Sequence, residues 1–163
     1  MTKNLRNTTL VFLIKKSDNK ITDVCLAMKK RGFGVNRWNG TGGKVEESET
    51  IKNSAKRETK EEVGVNLNKI KKVAELSFYF PHNLLWNQVV HVFLCDNWDG
   101  KPTESEEMRP KWFRIPELPF SQMWPDDKFW LPQVLEGKLL RATFKLGESD
   151  IIIKKKIEIV DKF

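Results

Sequence analysis

The residues with the clearest chemical potential are three glutamates, Glu58, Glu61 and Glu62, just ahead of Gly64. A glycine there can take the left-handed turn that ends helices, so the preceding residues read as one helix. At about 100° per residue the three acids fall within roughly 100° of arc, with Ile51 and Ala55 inside or beside it. Lys52, Lys56 and Lys60 point the other way and mark the solvent face. Glutamates at this spacing repel one another, and burial makes their ionised forms costlier unless a cation compensates or their pKa values rise. Such a cluster of hard oxygen ligands suits Mg²⁺ or Mn²⁺ shared with a phosphate-bearing substrate. The competing reading is a solvated Glu-rich helix whose acids pair with the interspersed lysines.

The approach to the helix, Trp38-Asn39-Gly40-Thr41-Gly42-Gly43, weighs against that plainer reading. Its three glycines permit tight turns and leave room for a ligand beside the main chain. It lacks the Lys-Ser/Thr ending of a Walker loop.

Together the two stretches resemble the Nudix box: Gly43, Glu49, Arg57, Glu58, Glu61, Glu62, Gly64 and Val65 all stand at its positions. Seven fixed residues at roughly 6% each would coincide by chance on the order of 10⁻⁹ per start position. Thr59 departs, occupying a usually aliphatic place. Outside the box, the runs Lys29 to Gly34, Arg37 to Gly40, Glu107 to Pro110 and Met123-Trp124-Pro125-Asp126-Asp127 are similar to the animal-type MutT homologues of that superfamily. The similarity runs from about Thr9 to the last strand.

The resemblance implies Mg²⁺-dependent hydrolysis (Mn²⁺ as a substitute) of oxidised purine nucleoside triphosphates, 8-oxo-dGTP and 2-oxo-dATP, to monophosphate and pyrophosphate. It implies that Glu58, Glu61 and Glu62 bind metal, helped by the Gly42 carbonyl and Glu107, with Arg57 orienting the glutamates. Gly42 and Gly43 would lie against the substrate. Asn39, Asp126 and Asp127 would read the purine edge, Trp124 would stack on the base, and Phe33 and Phe80 would line the pocket. Lys29 and Thr9 would lie near the nucleotide. Either Glu62 or Glu61 would take the proton of the attacking water, with Glu107 as the distant alternative.

The aspartate pair can also be argued physically. Two carboxylates crowded in an apolar pocket do not both ionise, so one donates a hydrogen bond while the other accepts. The competing reading is that Asp126-Asp127 only caps a helix. Thr41, Gln88 and the segment Asn83 to Asn87, which carries Trp86, depart from the relatives and bear on base selectivity. The Lys15 to Asp23 hairpin is longer than theirs.

Stepping outward, strands are expected at Thr8 to Ile14, Val24 to Met28, Val73 to Phe80, Gln88 to Cys95, Pro110 to Ile115, Leu139 to Leu146 and Ile151 to Val160. Lys15 to Lys20 is a hairpin loop, and His91 is a structural residue inside its strand. A second helix runs from Asp126 or Asp127 to Glu136, with Pro132 kinking it or forcing a late start. This order fits an α+β protein, a mixed sheet with helices on its faces, and the Nudix resemblance implies an α-β-α sandwich.

At 163 residues, 39% hydrophobic and 31% charged, the chain reads as a single globular domain, residues 1–163. Its net charge of +7 would help gather polyphosphate substrates or nucleic acid, but general solubility explains it at least as well because the lysines are scattered. Only Lys154-Lys155-Lys156 forms a run, in a frame that suits a charged edge strand. Cys25 and Cys95 have no metal-like spacing and read as buried free thiols in a reducing compartment. The sequence reads without a secretory leader or membrane-length apolar run, so a cytoplasmic address, with room for a nuclear or mitochondrial share, and no membrane partner are expected; a monomer without a stable nucleic-acid partner is expected as well. The rival readings are a Nudix enzyme for methylated or undamaged purines, and a basic nucleic-acid-binding Nudix fold without activity. A dead version should lose box glutamates, and this chain keeps them all.

Overall fold

The computed structural model describes residues 5–163; residues 1–4, where sequence reading expects no secretory leader, lie outside the described residues. Along the chain come β1 (Arg6–Ser17), β2 (Lys20–Lys29), β3 (Trp38–Asn39), α1 (Ile51–Val63), β4 (Asn66–Tyr79), β5 (Gln88–Asp99), β6 (Met108–Arg114), α2 (Asp127–Leu135), β7 (Leu139–Leu146) and β8 (Ile152–Val160). Eight strands form one sheet in the order β3-β2-β1-β5-β4-β7-β8, with β6 also pairing β2. The β1–β5 and β4–β7 pairs are parallel and the other pairs antiparallel, so the sheet is mixed.

Side chains alternate across the sheet, and this sorts the core into two clusters. Leu10, Phe12 and Ile14 of β1 pack with Trp130, Leu131 and Val134 of α2. Val11 and Leu13 pack on the other face with Ala55 and Val63 of α1. A helix therefore covers each face, giving the α+β, three-layer sandwich.

The first hairpin is tighter than expected: β1 runs on to Ser17, and the turn is only Asp18-Asn19, both at positive φ. Asp and Asn tolerate that left-handed backbone, so two residues suffice where the sequence suggests six. The two-residue β3 escapes sequence reading because a pair of residues has no period to detect. β4 begins at Asn66 rather than near Val73, and three register shifts against β5 break its alternation there. Pro132 lies within α2 without delaying its start at Asp127. At the far edge, Lys154, Lys155 and Lys156 are exposed on β8, as expected for a charged strand.

Candidate active site

The site begins where β1 and β2 part. Leu13 to Ser17 pair with β2, but the first half of β1 pairs instead with the glycine loop, through Thr8 opposite Lys44 and Val11 opposite Thr41. Val11 N–H donates to Thr41 O and Thr9 N–H to Gly43 O. This approach is so close that a Cβ on Gly42 would sit 1.8 Å from the Thr9 carbonyl oxygen, so only glycine fits. Gly42 N–H is left free for the helix behind it and donates to Glu62 Oε1 at 2.7 Å. A Cβ on Gly43 would fall 2.6 Å from the carboxylate carbon of Glu58. The loop is thus pressed between β1 and the acids of α1.

Helix α1 is capped by the Thr50 hydroxyl, which accepts from Asn53 N–H, and it ends at Gly64 with φ 78°. Its acids are not equally inward. Glu62 is buried, Glu58 is half-buried, and Glu61 is exposed. The buried arc centres on Ala55, Thr59 and Glu62, and Glu61 stands at its margin, a correction to the sequence reading. Lys52, Lys56 and Lys60 do face solvent.

Arg57 ties the acids together. It grips Glu49 through Nε and Nη2 at 2.9 and 2.6 Å, and its Nη1 donates to Glu58 at 3.0 Å and Glu61 at 3.2 Å. The bond from Arg57 pulls the Glu49 carboxyl down to about 2. Burial pushes Glu62 up to about 8, against the Gly42 N–H bond and the nearby charge of Lys29, which favour the ionised form. Burial raises Glu58 too. Glu62 Oε2 is buried without a hydrogen-bond partner. Among the described residues no three acidic, His or Cys side chains already converge as a metal cage. An orphaned carboxylate oxygen, a second carboxylate against the loop and an all-oxygen donor set nevertheless fit a hard divalent cation that brings its own waters.

In front of the loop opens a cavity of about 470 Å³. All ten residues expected at the substrate line it: Thr9, Lys29, Phe33, Asn39, Gly42, Gly43, Phe80, Trp124, Asp126 and Asp127. Phe33 packs 5.0 Å from Trp124 and 6.3 Å from Phe80, ring centre to ring centre. Asp126 and Asp127 are buried at the head of α2, and Asp126 makes no side-chain cap bond. The capping reading of the pair therefore fails for Asp126, whose Oδ2 accepts from Trp130 Nε1–H at 2.8 Å. Burial raises both carboxyls, and the charge of Asp126 adds to the rise at Asp127, so the two do not readily ionise together. Asp126 Oδ1, Asp127 Oδ2 and the Thr9 hydroxyl are buried without partners beside this cavity, free to meet a ligand.

Glu107 lies apart from the helix acids, 3.5 Å from Arg31, yet its charge reaches Glu58 and Glu62 and raises both. His91 is structural as expected, bonded to Asn7 and Lys72 at 2.9 Å each. Cys25 and Cys95 are free and buried. Trp130, which holds Asp126, was not singled out in sequence, although its i+4 spacing from Asp126 on a helix is a readable signal. Arg37, also on the cavity wall, lies in a matching run to which the sequence gives no role, and Trp86, in the departing segment expected to bear on base selectivity, lines the same wall.

Residues 4–134 match the NUDIX domain family, and the chain belongs to that family of hydrolases. The mouse (Mus musculus) protein named oxidized purine nucleoside triphosphate hydrolase is 47% identical over 140 residues, which cover 86% of this chain and 89% of that one. A zebrafish (Danio rerio) protein of the same name is 45% identical over 138 residues, 85% and 88% of the two chains. The crystal structure of a MutT protein from Bacillus halodurans superposes with a TM-score of 0.81 at 23% identity, covering 94% of this chain and 98% of that one. That last likeness is one of fold.

Proposed function

We propose that this chain hydrolyses oxidised purine nucleoside triphosphates, such as 8-oxo-dGTP and 2-oxo-dATP, to the monophosphate and pyrophosphate, with Mg²⁺ or, in its place, Mn²⁺. The observation that carries this reading is one cavity with a buried, partly unpartnered aspartate pair at the base end and a glycine loop backed by carboxylates at the other. The names of the mouse and zebrafish relatives support it.

In this reading Trp124 stacks on the purine and Phe33 lines the pocket beside it, while the aspartate pair donates and accepts at its edge. Asn39 adds an amide, and Lys29 and Thr9 meet the phosphate-bearing side. Glu58, Glu61 and Glu62 hold the metal with the Gly42 carbonyl and, further out, Glu107. Bound there, the ion supplies neutralisation of the developing phosphate charge and a lowered proton affinity of water. Glu62 would accept the proton from the attacking water, because its Oε2 has no protein partner whereas Glu61 is exposed and held by Arg57; Glu62 would then serve the metal only while that oxygen is unprotonated. Arg57 keeps Glu58 and Glu61 in place from behind.

The chain acts in this reading as one monomeric domain without a stable nucleic-acid or membrane partner; among the described residues no helix is long and apolar enough to cross a membrane. Two free buried thiols suit the reducing cytoplasm. The test is pyrophosphate release from 8-oxo-dGTP, 2-oxo-dATP, O6-methyl-dGTP and dGTP, with Mg²⁺ and with chelator. The oxidised purines should exceed dGTP by about tenfold or more in kcat/KM, a gap of about 1.4 kcal/mol. Equal rates on dGTP, or release indifferent to chelator, would overturn the reading.

A further inference from the structure

We propose that Arg37, anchored by Asp150, positions Trp124 as the stacking face of the cavity. This rests on the function proposed above and adds to it a residue remote from the phosphates. The Arg37 guanidinium lies over the Trp124 ring, 4.1 Å from its centre. Its Nη2 is 2.9 Å from Asp150 Oδ2, and both side chains are about three-quarters buried, at 27% and 24% exposure. A pair this enclosed is screened less than a surface pair, so it can hold a geometry.

Two further features tie these residues to the ring. Arg37 N–H donates to Gly34 O, and Gly34, at φ 83°, lies so near the indole that a Cβ would come within 3.3 Å of Trp124 Nε1. The turn carrying Arg37 is thus folded against the ring that Arg37 covers. Asp150 and its neighbour Ser149 both hold positive φ, 58° and 59°, a conformation that non-glycine residues keep only when their surroundings fix it. They sit between β7 and β8, so the far end of the sheet reaches the base pocket through one ion pair.

Arg37 borders both the main cavity and a second, open recess of about 620 Å³, and so stands as part of the partition between them. Attraction between the guanidinium and the ring, with Phe33 packed 5.0 Å from the same ring, keeps the indole from turning and fixes the surface it offers to a base in the cavity. The same cation favours the ionised form of Asp126. Arg37 is therefore a positioning residue for the base, without contact to the reacting phosphates.

The experiment is steady-state hydrolysis of 8-oxo-dGTP by wild type, Arg37→Gln, Arg37→Lys, Asp150→Asn and the Arg37→Gln/Asp150→Asn double variant, each first checked by thermal melting. Arg37→Gln should raise KM about tenfold with kcat within about twofold, the signature of lost binding rather than lost chemistry. Asp150→Asn should raise KM less, Arg37→Lys should recover part of the loss, and the double variant should match Arg37→Gln alone. An unchanged KM in Arg37→Gln, a fall confined to kcat, or additive effects in the double variant would each overturn the proposal. A wild type that turns over no nucleotide removes the functional reading and this inference together. An active wild type with an indifferent Arg37→Gln removes only this one.

Discussion

Burial with one carboxylate oxygen unpartnered pushes the Glu62 carboxyl up to about 8. Glu62→Gln keeps an oxygen for the Gly42 N–H but cannot take a proton. Turnover should fall by about 10² or more while KM for 8-oxo-dGTP moves little; near-wild-type kcat would return the role of base to Glu61 or Glu107. The aspartate pair gives a pH prediction. Asp127 binds its proton more tightly folded than unfolded, so between its ordinary carboxylate value and its raised folded value the native state holds the extra proton. Stability is then lost as pH rises through that window. Asp127→Asn removes this loss, so in melts from acid to neutral pH its Tm should gain on wild type as pH climbs. Parallel curves would refute a shared proton. At this scale the sequence was highly legible, because box residues and the Trp-Pro-Asp-Asp run carry their chemistry in their types. It left unread the bond from Trp130 to Asp126: the i+4 spacing hints at it, but packing chooses the rotamers that make it.

Between elements, the sequence departures at Thr41 and Thr59 turn out to answer each other. Their hydroxyl oxygens are 2.8 Å apart in the buried seam between loop and helix, and Thr59 also donates to Ala55 O. With its one proton so used, Thr59 accepts from Thr41. Two positions where relatives of the box favour apolar residues have become a polar pair that clamps the glycine loop to α1. Thr59→Val should strand the Thr41 hydroxyl and destabilise the fold by about 1–3 kcal/mol, whereas Thr41→Val/Thr59→Val should cost less than the sum of the single changes. Urea melts of all four proteins measure the cycle; additive losses would show that the bond contributes nothing. Each threonine alone looks like a local oddity in the sequence, because eighteen residues separate them and no pattern of period two or three to four links such positions.

At the scale of the molecule, the fold places carboxylates behind a loop, with Arg57 holding Glu58 and Glu61 and with Glu62 Oε2 left unpartnered. A cation that binds this native arrangement and not the unfolded chain must raise its stability. At about a hundred times its dissociation constant, Mg²⁺ should add roughly 2.7 kcal/mol. Thermal melts with Mg²⁺ and with chelator should differ by several degrees in wild type and by less in Glu62→Gln. An identical Tm in both conditions would mean that the acids of α1 hold no metal.

By itself, the sequence determined the two helices, most strands, the mixed α+β class and the identities of the residues that meet in the cavity. Periodicity and turn chemistry are local, and side-chain types declare what chemistry is on hand. Only the tertiary structure decided how those groups share their burden: that Glu62 sinks inward while Glu61 stays wet, that burial raises both Asp126 and Asp127, and that β3 and the loop after it complete the split between β1 and β2. Burial and proton affinity depend on which atoms surround a group in space, and residues distant along the chain supply most of those atoms here.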